Sequence, residues 1–386
     1  MVRSGGKPRV NQVGYAVVDR NQMNADPVAA QADAVLQAVQ GMPLPQSVVI
    51  GGLPGQTVVI RHPRLPNMPY EEIAQSIEAE AGQNIPYDLS EVYLDWALLE
   101  GPSEGEDKQI KVLLVAARHE VVETRVQVAE AADIQYSILG VDSLALANAA
   151  EACAFFRPDE TLALVNLGAS STSIHFFRDG TSSFIRELSW GAREMIQSVA
   201  KGNRCDYEEA ERLLQKYAER ERTSEPAGPA TEAVPEAAPM PEEGRPEEDP
   251  GARNPLDPFE DELGDAGESR SASAAGPPSE GQPDVGEFLS TPLARLVVEI
   301  RRSFEYYEHQ LYEKPVDRIL LSGGVAHVPI IGDSMADELG VESVEVANPG
   351  ESALRLGGDT SLSVFTQRPA QFMVAVGLAA TGVEEL

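Results

Sequence analysis

The chain has 386 residues, 42% of them apolar, enough for two domains or one bilobed fold. Its net charge of −32 argues against nucleic acid as a partner, because phosphate binding needs clustered Lys and Arg, and against docking on anionic lipid through a basic patch. Two distant cysteines, Cys153 and Cys205, give no disulfide framework and no CxxC pair, no apolar run approaches the ~20 residues of a membrane helix, and the start MVRSGGKPRVNQ has no apolar signal core, so the expected compartment is the cytoplasm.

Residues 47–53 (SVVIGGL) and 57–65 (TVVIRHPRL) are predicted strands from their Val and Ile content. Residues 69–84 carry helical period, with Ile73, Ile77 and Ala81 on one face. Residues 92–100 alternate as a strand, and 109–118 form a second, joined by a hairpin loop GPSEGEDK. A helix over 120–132 and a strand over 133–142 complete the block. Residues 57–142 therefore read β-α-β-β-α-β, the split pattern of a ferredoxin-like subdomain.

A helix over 143–156 leads to the strand TLALVNLG at 161–168, a polar turn, and two further strands at 174–180 and 181–188, turned by Asp179-Gly180. Helices are predicted at 191–201 and 207–222. Residues 288–312 form a helix with Leu296, Val297, Ile300, Phe304, Tyr307 and Leu311 on one stripe, which reads as core. The strand DRILLSGG at 317–324, a helix at 330–339, a strand at 341–349 and an apolar helix at 372–381 end the chain.

Residues 223–284 are unlike the rest. They are Pro, Glu, Ala, Gly, Ser and Asp with few large apolar side chains, a composition that cannot bury enough surface to offset ordering entropy. The stretch is expected to be a disordered acidic linker inserted within one fold. The cluster LDPF at 256–259 inside it reads as a stray apolar group or a docking motif.

Two motifs can carry chemistry. In LALVNLGASSTSIHFF an apolar strand ends in Gly168 and a tip of small and hydroxyl residues precedes the next strand. Gly168 lets the backbone approach an anion, free N–H groups point at it, and Ser170, Ser171 and Thr172 add donors. The bland alternative is an ordinary Gly-Ser hairpin. In ILLSGGVAHVP a strand ends in Gly323-Gly324, where a flat ligand can approach closely before a helix start. Its alternative is a tight strand–helix turn without a ligand. The five histidines show no metal spacing and are read as structural.

Together, in this order and with helices between them, the two motifs resemble the actin-like ATPase superfamily. Within it, QSVVIGGLPGQTVVIRHPRLP, EEIAQSIEAEAGQNIPYDLSEVYLDW, KVLLVAARHEVVETRVQVAEAA and ILLSGGVAHVPIIGDSMADELGVESVEVANP are similar to segments of the PilM family of type IV pilus assembly. The resemblance covers nearly the whole chain except the linker. It implies an α/β actin-like (ribonuclease H-like) fold of two lobes with an inserted ferredoxin-like subdomain. Residues 1–56 would begin the large lobe and 57–142 form the subdomain. Residues 143–222 would be the phosphate-loop part of the second lobe, and 285–386 its adenosine-loop part with the return helix. Gly168, Ser170, Ser171 and Thr172 would form the second phosphate loop, and Gly323 and Gly324 the adenosine loop. Glu211 would lie near the ribose or adenine edge, unless it is only a solvated helix-surface residue. ATP with Mg²⁺ is the cofactor so implied. The partner implied is the N-terminal peptide of a PilN-like inner-membrane protein, with contacts to the pilus motor ATPases. The chain would be a cytoplasmic scaffold held at the inner membrane by that partner.

Three departures weaken ATP hydrolysis. The start RSGGKPRVNQVGYAVVD resembles the stretch just after the family's first phosphate hairpin, so either the sequence begins downstream of that hairpin or the protein lacks it. Asn166 stands where the family has an Mg²⁺-holding Asp, and Asn is a poorer ligand. Val325 stands where a third glycine is common. No general base is assigned: Asp142 ends a strand before a helix and is expected to cap that helix, with a catalytic role as the alternative. A sugar kinase or phosphatase on the same fold would need a catalytic carboxylate and a substrate pocket. A cell-division filament former like FtsA would end in an amphipathic membrane helix, whereas this chain ends GVEEL.

Overall fold

The computed structural model describes residues 1–4, 7–44, 47–99, 109–224, 285–357 and 363–384. The loop at 100–108 and the acidic stretch at 225–284, with its LDPF cluster, lie outside the described residues.

The chain starts with a hairpin of β1 (Val2–Ser4) and β2 (Lys7–Val10), whose Val10 is buried with Leu162, Leu164 and Leu320. Next are two helices that the sequence pattern does not predict, α1 (Arg20–Ala25) and α2 (Pro27–Ala38). Each starts on an aspartate whose carboxylate accepts from a backbone N–H: Asp19 from Gln22 at 2.8 Å, Asp26 from Ala29 at 3.0 Å. Pro27 occupies the first turn of α2, where no N–H is needed. The buried face of α2 is only Ala30, Ala32 and Ala34, which explains its weak hydrophobic signal.

The chain continues through β3 (Ile50–Leu53), β4 (Val58–Arg61), β5 (Arg64–Pro66), α3 (Tyr70–Asn84), β6 (Val92–Leu98), β7 (Gln109–Arg118), α4 (His119–Ala131), β8 (Ile138–Val141) and α5 (Asp142–Ala152). The expected strand over 57–65 is broken at His62-Pro63 into β4 and β5, and both halves pair antiparallel with β7. Strand β6 pairs with the other edge of β7. Helix α3 closes this small sheet with Ile73, Ile77 and Ala81, all buried. The first five elements of the ferredoxin-like pattern are thus present. The sixth departs from it: β8 pairs in parallel with β3, outside the small sheet, so it returns the chain to the lobe core.

The second lobe is built on β9 (Thr161–Leu167), β10 (Thr172–Arg178) and β11 (Thr181–Leu188), an antiparallel meander. Its Asp179-Gly180 turn has φ of 50° and 77°, the left-handed pair that a two-residue hairpin requires. Helices α6 (Ala192–Asn203), α7 (Tyr207–Ser224) and α8 (Val285–Glu305) come after it, α8 ending in a π-turn at Tyr306–Gln310. Then come β12 (Arg318–Gly323), α9 (Pro329–Leu339), β13 (Ser343–Val346), β14 (Arg355–Leu356), α10 (Ser363–Gln367) and α11 (Met373–Glu384). The sheet order is β11-β10-β9-β12-β13, with β12 parallel to β9. Strand β14 leaves this sheet and pairs with β2.

The expected stripe on α8 is core. Leu289, Leu293, Leu296, Val297, Ile300 and Phe304 are buried against the sheet. Each such side chain contributes about 1.5–3 kcal/mol by leaving water. Tyr307 extends the stripe and stacks on Phe176, with ring centroids 4.4 Å apart.

Helices α5 and α11 pack on each other and on the face of the sheet that carries Leu162, Leu164 and Leu320. A Cβ at Gly377 would lie 1.7 Å from the Ala145 carbonyl oxygen, so only glycine lets the two backbones touch. Among the described residues, no helix is long and apolar enough to cross a membrane.

Candidate functional site

The site is set by two strand ends. Parallel strands β9 and β12 run side by side, with Leu167 opposite Gly323 and Asn166 opposite Ser322. Their carboxyl ends carry the two glycine turns named from sequence, so Gly168 and Gly323 are neighbours at one edge of one sheet. Ligands of open α/β sheets bind at this edge. Gly323 has φ of 99°, and a Cβ on it would sit 2.2 Å from the Leu167 carbonyl oxygen. Gly324 has open space where a side chain would be.

The turn after β9 is tight. Gly168 N–H donates to Ser171 O at 3.0 Å, while Ala169 and Ser170 are exposed at the tip. Helix α6 fastens to its back: Ala192 N–H donates to Gly168 O at 2.9 Å and Arg193 N–H to Ala169 O at 3.0 Å. Gly191 permits this approach, since a Cβ there would come 2.6 Å from the Ser170 nitrogen. Ser170 also lines a recess of about 470 Å³ with Arg193, Gln197 and Lys201. Thr172, grouped with the loop on sequence grounds, faces inward. Its side chain is fully buried and its hydroxyl donates to Trp190 O at 2.9 Å, so it anchors the hairpin.

Asn166 faces Ser322, whose hydroxyl donates to Asn166 Oδ1 at 3.2 Å. That oxygen stands where Mg²⁺ would need a carboxylate, and it is already engaged. The residues present fit a phosphate and a flat base better than they fit the metal. Among the described residues no group of three or more His, Cys, Asp or Glu is placed to hold a metal.

Helix α7 runs beside the second glycine turn. The charges of Arg368, Arg222 and Glu219 act on His327, just past Gly324; burial is the main cause holding its pKa below the ordinary value. Glu211 lies further back on α7, partly exposed, and pairs with Arg20 Nη2 at 3.3 Å. The Arg20 guanidinium also lies over the Tyr207 ring, 3.6 Å from its centroid. No sequence motif signals Arg20, because 191 residues separate it from Glu211.

A second set of groups sits at the root of the cleft. Asp142 is the first residue of α5 and makes no capping bond, contrary to the expectation that it caps that helix. Burial pushes its carboxyl up to about 6, against the pull of Arg125. Glu187, from β11 in the other lobe, is pushed up to about 7 by burial; the Ser143 hydroxyl opposes the shift and Asp142 adds to it. The two carboxyls lie against glycines: a Cβ on Gly52 would be 2.3 Å from Asp142 Oδ1, and one on Gly55 would be 2.1 Å from Glu187 Oε1.

His175 continues this contact. Its Nδ1 is 3.1 Å from Ser143 O, which can only accept, so Nδ1 carries the proton. Its Nε2 then accepts from the Ser182 hydroxyl at 2.7 Å. Burial chiefly, opposed by the Ser143 bond, holds the ring neutral with a pKa of about 3. From the small subdomain, Lys111 Nζ donates to Ser183 O at 2.9 Å and Ser182 O at 3.4 Å. The subdomain therefore fastens onto the outer edge of β11, an edge that would otherwise offer free carbonyls.

Glu187 yields a pH test. Its folded-state pKa lies above the ordinary 4.5, so the neutral form is favoured in the fold. Its stabilising contribution is full below pH 4.5 and is lost as pH rises toward 7. Glu187→Gln should gain stability over the parent by about 3 kcal/mol at most at pH 8, and gain nothing at pH 4. Urea unfolding at both values checks this; an unchanged difference between the two pH values contradicts it.

A complete β11-β10-β9-β12-β13 sheet, glycine turns at adjacent strand ends and paired crossing helices define an actin-like protein of two lobes. A family model described as Type IV pilus assembly protein PilM matches residues 9–220 and 283–383, which flank the acidic insertion. The chain belongs to that family. Its fold is similar to a solved PilM-PilN type IV pilus biogenesis complex, with a TM-score of 0.66 and 23% identity over 93% of this chain and 86% of that one. It is also similar to the ethanolamine utilization protein EutJ from Carboxydothermus hydrogenoformans, with a TM-score of 0.36 and 12% identity over 67% of this chain and 60% of that one. An archaeal actin homologue, Ta0583, matches with a TM-score of 0.35 and 13% identity over 65% of this chain and 58% of that one.

Proposed function

We propose that the chain is an actin-like scaffold of the type IV pilus assembly platform, held at the inner membrane by the N-terminal peptide of a PilN-like protein. The observation that carries this reading is the family match on both sides of the insertion, joined to the similarity with a PilM-PilN complex. The cleft at Gly168 and Gly323 is its adenine-nucleotide site. The backbone at the exposed tip, Ala169 and Ser170, would meet phosphate, with Ser170 and Ser171 adding hydroxyls and Arg193 and Lys201 adding charge nearby. The open face of Gly324 would take the flat base. ATP bound there supplies phosphate charge that these donors read. At most weak hydrolysis is expected, because Asn166 is a poorer metal ligand than a carboxylate.

A synthetic peptide of the PilN-like cytoplasmic N-terminus, titrated calorimetrically into the full chain, tests the scaffold role. Saturable micromolar binding at a ratio of one is expected. No heat with the cognate peptide, or equal heat with a scrambled one, rules the reading out. A sugar kinase or phosphatase is the less favoured reading, since the family match on both sides of the insertion is to a pilus assembly protein.

A further inference from the structure

Arg20 belongs to the first lobe. Its helix packs on α2, and α2 packs on α4. Tyr207 and Glu211 belong to α7, whose Ala210, Leu214, Tyr217 and Ala218 are part of the second lobe's core. The Arg20 side chain therefore spans the cleft, and it does so with both contacts a guanidinium makes well: a flat stack on an aromatic ring at 3.6 Å and an ion pair at 3.3 Å. Both partners lie on one face of α7, four residues apart. Asp19 locks the base of the strap, because its carboxylate caps α1 immediately before Arg20.

We propose that Arg20 is a latch across the cleft, which holds the two lobes together through Tyr207 and Glu211 when no nucleotide is bound and is displaced when a purine nucleotide enters. The latch itself stands on this geometry alone. Its exchange with nucleotide rests on the nucleotide-site reading above. The chemistry of exchange is simple: a purine presents a flat aromatic face of the kind that the guanidinium now covers, and a ribose presents hydroxyls that Glu211 can accept from. The contact is half exposed, with the two side chains 48% and 42% accessible, so a ligand can reach it and salt weakens it.

The test uses the full chain with spin labels at Gln37 on α2 and Lys216 on α7, in a Cys205→Ser background; Cys153 is buried and its thiol is pushed up to about 11, mainly by burial, so it does not react. Pulsed dipolar distances are recorded without nucleotide. The parent should give one narrow distribution. Arg20→Ala should add a longer, broader component, shifting the closed-to-open ratio roughly fivefold or more. Glu211→Gln should give a partial shift, and Arg20→Lys should keep charge but lose the stack. Matching distributions in the parent, Arg20→Ala and Glu211→Gln overturn the latch.

A second arm titrates a fluorescent adenosine diphosphate into the same proteins. Tighter binding by Arg20→Ala, roughly fivefold, supports exchange; equal or weaker binding overturns it. If neither protein binds while the distances still separate, the latch stands and the nucleotide-site reading is what falls.

Discussion

Arg318→Met is expected to lower the stability of the second lobe by about 3–5 kcal/mol. Arg318 begins β12 and its side chain is only 3% exposed. It grips Glu160 with both Nε and Nη2, reaches Glu345 Oε2 at 3.0 Å, and donates to Phe155 O at 2.7 Å. One guanidinium thus joins the start of β9, the start of β12 and strand β13. Methionine fills the space but leaves the Glu160 carboxylate, 9% exposed, with only the longer 3.9 Å contact to the exposed Arg157 guanidinium as counter-charge. The penalty comes from that stranded charge more than from the lost pair. Arg157 is the control. It pairs with the same Glu345 at 2.8 Å but is 55% exposed, so Arg157→Ala should cost less than about 1 kcal/mol. Urea unfolding of both variants decides it: equal losses would mean that burial is not what gives Arg318 its weight.

Gly323→Ala should be nearly as damaging, while Gly324→Ala next to it should be close to neutral. A methyl at 323 meets two penalties. The φ of 99° is unfavourable for an L side chain, at about 1–3 kcal/mol, and the methyl would press on the Leu167 carbonyl of the paired strand, at about 1–3 kcal/mol more. Gly324 lacks both problems. A loss of under 1 kcal/mol for Gly323→Ala, against the range these strain costs imply, would show that β12 can move off β9 freely, and the tight strand ends would then not define the cleft floor. If the open face of Gly324 takes a base as proposed, Gly324→Ala should weaken nucleotide binding while leaving stability close to that of the parent.

Much of this architecture is written in local pattern. The runs that form β9, β10 and β12 are apolar and β-branched, and the stripe on α8 repeats at helical spacing, so both are legible in the sequence. Two helices are not, because α2 buries only alanines, and alanine leaves a faint periodic signal. What could have exposed them is Asp19 and the Asp26-Pro27 pair, start signals rather than hydrophobic ones. The pairing of β8 with β3 is also hidden. A four-residue strand carries its own face pattern but not the address of its neighbour.

The candidate site divides the same way. Glycine turns announce themselves, and Gly168 and Gly323 stand together as their motifs implied. Hydroxyl residues do not announce which way they point. Thr172 looks like its neighbours Ser170 and Ser171 in sequence, yet strand alternation turns it inward to Trp190. Charge contacts between distant segments are the least readable of all. Neither the Arg20–Glu211 pair nor the approach of Glu187 to Asp142 leaves a trace in either local stretch.

The backbone contact between Gly377 and Ala145 leaves no room for a side chain between α5 and α11. A bulkier residue at 377 could enter only by prising the two helices apart. Leu146, Met373 and Val376 of the same helices are buried with Leu162, Leu164 and Leu320 of the sheet, so the wedge would open that core as well. The absence of one methyl group thus keeps a whole layer of the molecule closed.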